Sequence, residues 1–288
     1  MEWDIAGRRV VVTGANSGIG KATAEELTRR GADVMITARD ADRGEAAVAD
    51  IRRATGRTVG LGSLDLADLA SVRDFAAGYR REHDRLDVLV NNAGVMSGSR
   101  RFTPDGFEWT FGVNHLGPFL LTALLDDLLV SGAPSRIVNV SSEVHRNVEE
   151  SPDIDDVTSA RGRYSASRAY AVSKWANIVF TAELNRRRGE SGVTSAALHP
   201  GVVATSFGKG AEGSRWIGVL MTVLRPVLRT PVDGAATSVH LATAPVDVVG
   251  RAVYWSDSEP REPLPSTLDE AVGRRLWTAS ERLVGLDG

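Results

Sequence analysis

The stretch Arg8-Arg-Val-Val-Val-Thr-Gly14-Ala-Asn-Ser-Gly18-Ile-Gly20, continued by Lys21-Ala-Thr-Ala-Glu-Glu-Leu-Thr-Arg-Arg30, decides the fold. A β-branched run, a glycine turn and a helical pattern follow without a break, which reads as strand, turn and helix. Glycines at such a turn let the backbone approach a pyrophosphate closely, while free amides and the partial positive charge of the helix N-terminus hold the anion. The spacing is Gly-x-x-x-Gly-x-Gly, not Gly-x-Gly-x-x-Gly, yet its place between a strand and a helix points to a dinucleotide site.

Working outward, the next strand reads Ala32-Asp-Val-Met-Ile-Thr-Ala-Arg39 and ends 19 residues beyond Gly20. There an acidic residue would accept from the 2′-hydroxyl of NAD, whereas an arginine suits the 2′-phosphate of NADP. Arg39 argues for NADP(H) over NAD(H), although Asp40 beside it could blunt that field. Further strand-like runs recur at Thr58 to Ser63, Leu86 to Asn91, Arg136 to Ser141, Val193 to Leu198 and Ala252 to Trp255. Helical stretches fit Asp68 to Glu82, Phe107 to Leu129, Tyr164 to Arg188 and Val232 to Ala242. Such alternation predicts one α/β domain over residues 1–288: a doubly wound parallel sheet of about seven strands, covered on both faces. Ligands of such sheets bind beyond the carboxyl ends of the strands, which directs attention to Asp65, Asn91-Asn-Ala-Gly94, Ser141-Ser142 and His199-Pro-Gly201.

Tyr170 and Lys174, in Arg168-Ala-Tyr-Ala-Val-Ser-Lys-Trp-Ala-Asn177, stand four residues apart and share one helix face. The chain holds three lysines (Lys21, Lys174, Lys209) against 31 arginines, so a lysine at this offset carries information. A cation about 4 Å from a phenol, at an effective dielectric of about 20, is worth about 4 kcal/mol, or roughly three pKa units. The expectation is a phenol brought toward neutrality, where general acid-base catalysis works best. Tyr-x-x-x-Lys alone also occurs on ordinary helix surfaces; the glycine turn gives it weight.

At 288 residues and 42% hydrophobic content, the chain can bury a large core. A net charge of -3, without interleaved basic and aromatic stretches, argues against nucleic acid as a partner. The absence of cysteine excludes disulfides, thiolate nucleophiles and cysteine metal sites. His83, His115, His145, His199 and His240 show no ligand spacing, so no metal is expected. Met1-Glu-Trp-Asp-Ile-Ala-Gly7 lacks a basic region followed by an apolar run, so the expectation is a cytoplasmic protein with neither signal peptide nor anchor.

Together these residues resemble the short-chain dehydrogenase/reductase family, from near Arg8 to the C-terminal end. The resemblance lies in Thr13 to Gly20, Asp65-Leu66, Asn91 to Gly94, Asn114, Ser142, Tyr170 to Lys174 and Pro200-Gly201. Ala38-Arg-Asp40, Val113-Asn-His-Leu-Gly117, Tyr170 to Asn177 and Leu276 to Gly285 look most like its retinol dehydrogenase group. The resemblance implies a Rossmann-type fold and four catalytic residues. Tyr170 would exchange the proton with the carbonyl oxygen, and Lys174 would tune the phenol and bind the nicotinamide ribose. Ser142 would hydrogen-bond the developing alkoxide, and Asn114 would hold a water linking Lys174 to solvent. Ser142 is chosen over Ser141 because the family's serine usually takes the second place of such a pair. The implied cofactor contacts are Gly14, Asn16, Ser17, Gly18, Ile19, Gly20, Arg39, Asp65, Leu66, Asn91, Ala93, Gly94, Tyr170, Lys174, Pro200, Gly201, Val203 and Thr205. For Asp65 a helix N-cap is the competing role; His199 is read as structural.

Ser142 and Tyr170 are 28 residues apart, and the charged insertion Glu143 to Arg163 between them is expected to border the substrate mouth. Arg215 to Arg229 is strongly apolar, but Arg225 and Pro226 interrupt it short of the roughly 20 residues a membrane span needs. A small helical lid over a lipophilic substrate, within about 206–229, is favoured over a peripheral membrane contact or a core or homo-oligomer contact. The expected function is an NADP(H)-dependent oxidoreductase interconverting a ketone or aldehyde and an alcohol, working as a reductase with Tyr170 as proton donor. The rival from another class is a non-catalytic NADP-binding sensor or scaffold; an NAD-dependent alcohol dehydrogenase and a sugar-nucleotide epimerase rank lower.

Overall fold

The computed structural model describes residues 3–148, 152, 163–201 and 229–286. The expected lid and most of the expected mouth insertion therefore lie outside the described residues, as do Val203 and Thr205. The strands are β1 (Arg9–Val12), β2 (Asp33–Ala38), β3 (Gly60–Ser63), β4 (Val88–Asn91), β5 (Ser135–Val140), β6 (Val193–His199), β7 (Tyr254–Ser256) and β8 (Glu259–Pro260). They form one sheet in the order β3-β2-β1-β4-β5-β6-β7-β8. Strands β1 to β7 pair in parallel, while β8 pairs antiparallel with β7. This is the expected doubly wound Rossmann-type sheet with one more strand than the expected seven or so. The eighth exists because Asp257 and Ser258 adopt φ of 58° and 61°, the left-handed pair that folds a two-residue hairpin. Two residues ending in Pro260 are too short to announce a strand by pattern.

The helices are α1 (Gly18–Arg29), α2 (Ala41–Thr55), α3 (Leu69–Glu82), α4 (Trp109–Phe111), α5 (Gly117–Leu124), α6 (Asp126–Ser131), α7 (Ala166–Arg188), α8 (Pro231–Thr243), α9 (Val246–Val249) and α10 (Glu270–Leu283). Alternation along the strands sends side chains to both faces of the sheet. Val10, Val12, Val88, Val90, Val138 and Val140 join a core with Leu27 of α1, Ala47 of α2 and Val239 of α8. Val11, Leu89 and Ile137 join the opposite core with Phe75 of α3, Phe119 of α5, Val179 of α7 and Leu276 of α10. Both faces are thus dry, as a parallel sheet requires.

Residues 107–129, expected as one helix, are broken. Between α4 and α5 the backbone widens into a π-turn, Gly112–Leu116, and α5 gives way to α6 at Leu125 (φ -104°, ψ 6°). Such wide turns gather at functional sites because they re-aim side chains without ending the helix. Among the described residues, no helix is long and apolar enough to cross a membrane.

Candidate active site

The sheet changes its winding direction between β1 and β4, and there the segments after the two strands meet. Thr13 Oγ1 accepts from the backbone N–H of Asn92 (3.0 Å) and of Ala93 (3.1 Å). Asn92 Nδ2 in turn donates to the Thr13 carbonyl at 2.8 Å. The approach is close enough that only glycine fits: a Cβ at Gly14, whose φ is 62°, would meet Ala93 Cβ at 2.8 Å, and one at Gly20 would meet Asn92 Nδ2 at 2.3 Å. Ser17 is the N-cap of α1, but its side chain makes no capping bond and the first turn holds no acidic residue. The leading amides of a 12-residue helix are therefore left to an anion.

Gly14, Asn16, Ser17, Gly18, Ile19 and Gly20 all belong to this turn and helix start, and the Asn16 amide lies against the Arg43 guanidinium at 3.3 Å. At the end of β2, the Arg39 side chain is 64% exposed and lies 3.9 Å from Asp65 Oδ2. Asp40 is otherwise engaged: it caps α2 by accepting from Arg43 N at 2.9 Å. Asp65 Oδ1 accepts from Ala67 N at 3.0 Å, and the N-cap of α3 is Asp68, so the competing role for Asp65 does not hold. Leu66 is buried, and its carbonyl oxygen stands 2.4 Å from where a Cβ on Gly117 would fall.

Asn91 is turned inward, where Nδ2 donates to Thr122 Oγ1 (3.2 Å) and Asn139 Oδ1 (2.9 Å). Its side chain is spent inside the core, and its neighbour Asn92 stitches the glycine turn. Asn92, inside the motif Asn91 to Gly94 but not among the expected contacts, was given no role of its own, and Arg43 was not singled out. The alternation of β4, which sends consecutive residues to opposite faces, was the available signal for Asn92; its recurrence four residues on, one helical turn past Arg39, was that for Arg43.

The expected catalytic residues converge at the carboxyl ends of β4 and β5. Lys174, 2% exposed, donates from Nζ to the Val140 carbonyl at 2.8 Å and lies 5.6 Å from the centroid of the Tyr170 ring. A Cβ on Gly94 would come within 3.2 Å of Lys174 Nζ and 3.6 Å of Asn114 Oδ1, so the missing side chain keeps space between them. Asn114, on the π-turn, grips both backbone groups of Val95: its Oδ1 accepts from Val95 N (2.8 Å) and its Nδ2 donates to Val95 O (2.9 Å). The same Nδ2 reaches Ser173 Oγ at 3.0 Å. Ser142 stands beside the Tyr170 phenol, close enough for its hydroxyl to act on the phenol's ionisation, whereas Ser141 is turned inward and donates to the Lys174 carbonyl at 2.7 Å. Pro200 and Gly201 follow β6; Gly201 takes φ 81°, and a Cβ there would collide with Arg229 at 2.7 Å.

One expectation is corrected. Tyr170 is not drawn toward neutrality: burial pushes its phenol up to about 12, against a smaller opposing effect of the Ser142 hydroxyl. Lys174 does not offset that burial: it is itself lowered to about 8 by burial, and its ammonium hydrogen-bonds a carbonyl while the phenol ring centre stays 5.6 Å away. Desolvation of the phenolate outweighs attraction to a cation that is itself weakly held in the charged form.

Comparison with known proteins places the chain in a family. The family model for short chain dehydrogenases matches residues 8–215. Retinol dehydrogenase 13 of Homo sapiens is 47% identical over 292 residues, covering 98% of this chain and 86% of that protein. Retinol dehydrogenase 14 of Homo sapiens is 44% identical, covering 97% and 87%. Among solved structures, an uncharacterized protein from Mycobacterium paratuberculosis superposes with a TM-score of 0.76 at 34% identity, covering 99% of this chain and 96% of that one. A metagenomic short-chain oxidoreductase solved in complex with NADP superposes with a TM-score of 0.62 at 26% identity, covering 84% and 93%.

Proposed function

The chain belongs to the short chain dehydrogenase family and is a retinol dehydrogenase-like oxidoreductase of alcohols and carbonyls; on that footing we propose that it uses NADP(H) to reduce a lipophilic aldehyde or ketone, with Tyr170 giving the proton. The reading is carried by the meeting of Ser142, Tyr170 and Lys174 beside the glycine-lined gap at Gly94. The amides opening α1 fit a pyrophosphate, and Lys174 beside Gly94 fits the ribose of a nicotinamide cofactor. Arg39, with Arg43 one helical turn on, suits a 2′-phosphate. NADPH, when bound, supplies the hydride.

The protein's own groups then handle the proton. A phenol at about 12 is fully protonated at neutral pH, so Tyr170 stands ready as a donor. The alkoxide developing on the substrate is a stronger base than the phenolate, so the transfer remains downhill, and Lys174 steadies the phenolate left behind. Ser142 shares its hydrogen bond with the same oxygen, where the new charge appears. Alcohol oxidation requires the phenol to ionise first, at about 1.4 kcal/mol for each pH unit below its pKa. Neutral pH therefore favours reduction. The relatives named for retinol support a lipophilic substrate.

The test is turnover of a panel of aldehydes and ketones, headed by retinal, with NADPH and with NADH. Tyr170→Phe is expected to lower kcat by roughly 100- to 10,000-fold while leaving NADPH binding intact. Comparable turnover by the variant would refute Tyr170 as the donor, and a clear preference for NADH would refute the role given to Arg39.

A further inference from the structure

Ser142 opens a 3-10 turn, Glu143–Asn147, and that turn is tied down from outside. His145, 0% exposed, makes two hydrogen bonds through opposite ring nitrogens. Nδ1 lies 2.8 Å from the Ser142 carbonyl oxygen, and Nε2 lies 3.2 Å from the backbone nitrogen of Leu264. A carbonyl only accepts and a backbone N–H only donates, so these partners assign the ring proton to Nδ1 and leave Nε2 bare. The tautomer is set by its neighbours.

The segment 262–266 is held at two more points, one from the same turn and one from α7. Arg146 donates to the Glu262 carbonyl, and further along the segment Ser266 Oγ accepts from Nε1 of Trp175, the residue after Lys174, at 3.1 Å. A strap from the C-terminal region thus runs from the serine turn to the helix that carries Tyr170 and Lys174. Beneath it the Tyr254 ring meets His145 edge-on at 4.9 Å, while its hydroxyl donates to Glu143 Oε2 at 3.0 Å.

We infer that His145 is a positioning residue: by binding the Ser142 carbonyl on one side and the strap at Leu264 on the other, it fixes the backbone of Ser142 and hence the aim of its hydroxyl. The inference rests on the reading of Ser142 as the hydroxyl that meets the reacting oxygen. An imidazolium could not accept from Leu264, so the joint requires a neutral ring. Its surroundings keep it so: burial lowers the imidazole pKa, and Arg146 and His199 act in the same direction, against the Ser142 carbonyl and Glu143. Among the described residues Tyr254 is the remaining titratable neighbour, and burial raises its phenol, so it stays uncharged.

The experiment compares wild type, His145→Phe, Ser142→Ala and the double variant, using NADPH and the aldehyde of the panel that is turned over fastest. His145→Phe keeps a ring against Tyr254 and removes both hydrogen bonds. A roughly 10- to 100-fold fall in kcat is expected, the scale of a misaimed catalytic group, with the Kd for NADPH unchanged within about two-fold. His145→Asn, whose amide can still donate to the Ser142 carbonyl, should recover most of the loss. In the Ser142→Ala background there is no hydroxyl to aim, so His145→Phe should change kcat by less than about two-fold. Equal losses in both backgrounds overturn the inference and leave the role of Ser142 standing. Full activity of Ser142→Ala instead removes the reading beneath it. Should His145→Phe fail to fold, Leu264→Pro deletes the donor to Nε2 at a residue whose φ is already -61°, and Leu264→Ala, which keeps that N–H, is the control for the side chain lost from the core. A kcat loss confined to the Ser142 background supports the inference; the same loss in both, or none in either, overturns it.

Discussion

Two buried cations serve the two ends of β5, and they are held in opposite ways. Arg136, near the start of the strand, is 0% exposed and closed on every side. Its guanidinium donates to the carbonyls of Leu241 (2.7 Å) and Ala244 and packs 3.8 Å from the Trp3 ring centroid. Those carbonyls end α8, where a helix has no partners of its own to offer. Lys174 meets the other end of the strand at Val140, and among the described residues that carbonyl is its one hydrogen-bond acceptor. Elsewhere the ammonium borders the gap that Gly94 leaves and lies 5.6 Å from the Tyr170 ring centroid. One cation is used up by the fold; the other is kept available at a cost to the fold. A planar guanidinium suits the first task and a rotatable ammonium the second.

The comparison breaks most visibly at Lys174. Lys174→Met should lower kcat by roughly 100- to 10,000-fold, measured as initial rates with NADPH, because the phenolate loses its counter-charge. Thermal melting of the same variant should show a fold no less stable than the parent, since a desolvated ammonium has been replaced by apolar volume. Arg136→Met should do the reverse. It strands the ends of α8, and denaturant unfolding should report a loss of about 2 to 5 kcal/mol, while kcat of the folded fraction stays within about two-fold. A catalytic collapse in Arg136→Met with stability intact would erase the distinction. The smallest effect is in pH. Burial holds Lys174 at about 8 against its ordinary 10.5, so the unfolded chain binds the extra proton in between. Stability should therefore rise from pH 8 to 10 by up to about 2 kcal/mol relative to Lys174→Met, whose curve lacks that slope.

The parts of the molecule written in local pattern were legible from the residues. The runs expected at Leu86 to Asn91, Arg136 to Ser141 and Val193 to Leu198 differ from β4, β5 and β6 by a residue or two at their ends. Helix α3 begins at Leu69 because Asp68 caps it, and the expected Asp68 to Glu82 differs only in counting the cap. The pairing of Tyr170 with Lys174 could be anticipated from their shared helix face and a serine from the end of β5, whereas Asn114 and the choice of Ser142 over Ser141 came from the family resemblance. What escaped depends on distant packing. Helix α2 carries a weak apolar stripe, Ala47 and Ile51 among Arg and Asp, and was not singled out. Helix α10 was noticed only as a family-like stretch, because its role, covering Phe119 and Phe180 with Trp277, is set by partners nearly a hundred residues or more away. The phenol of Tyr170 moved opposite to expectation for the same reason: four residues of spacing describe a neighbour, whereas desolvation is the sum of everything around the group.

The widened turn Gly112–Leu116 also settles which changes of chain length the cleft can absorb. Within it adjacent residues look to separate parts of the protein: Asn114 to Val95 and Ser173, His115 to Ser280 of α10 at 2.9 Å. An α-helix rotates by about 100° per residue. Deleting one residue there would relax the spiral to its common pitch and swing the amide of Asn114 off Val95. A gap that is harmless in a surface loop would thus empty the floor of the site without altering a single one of its side chains.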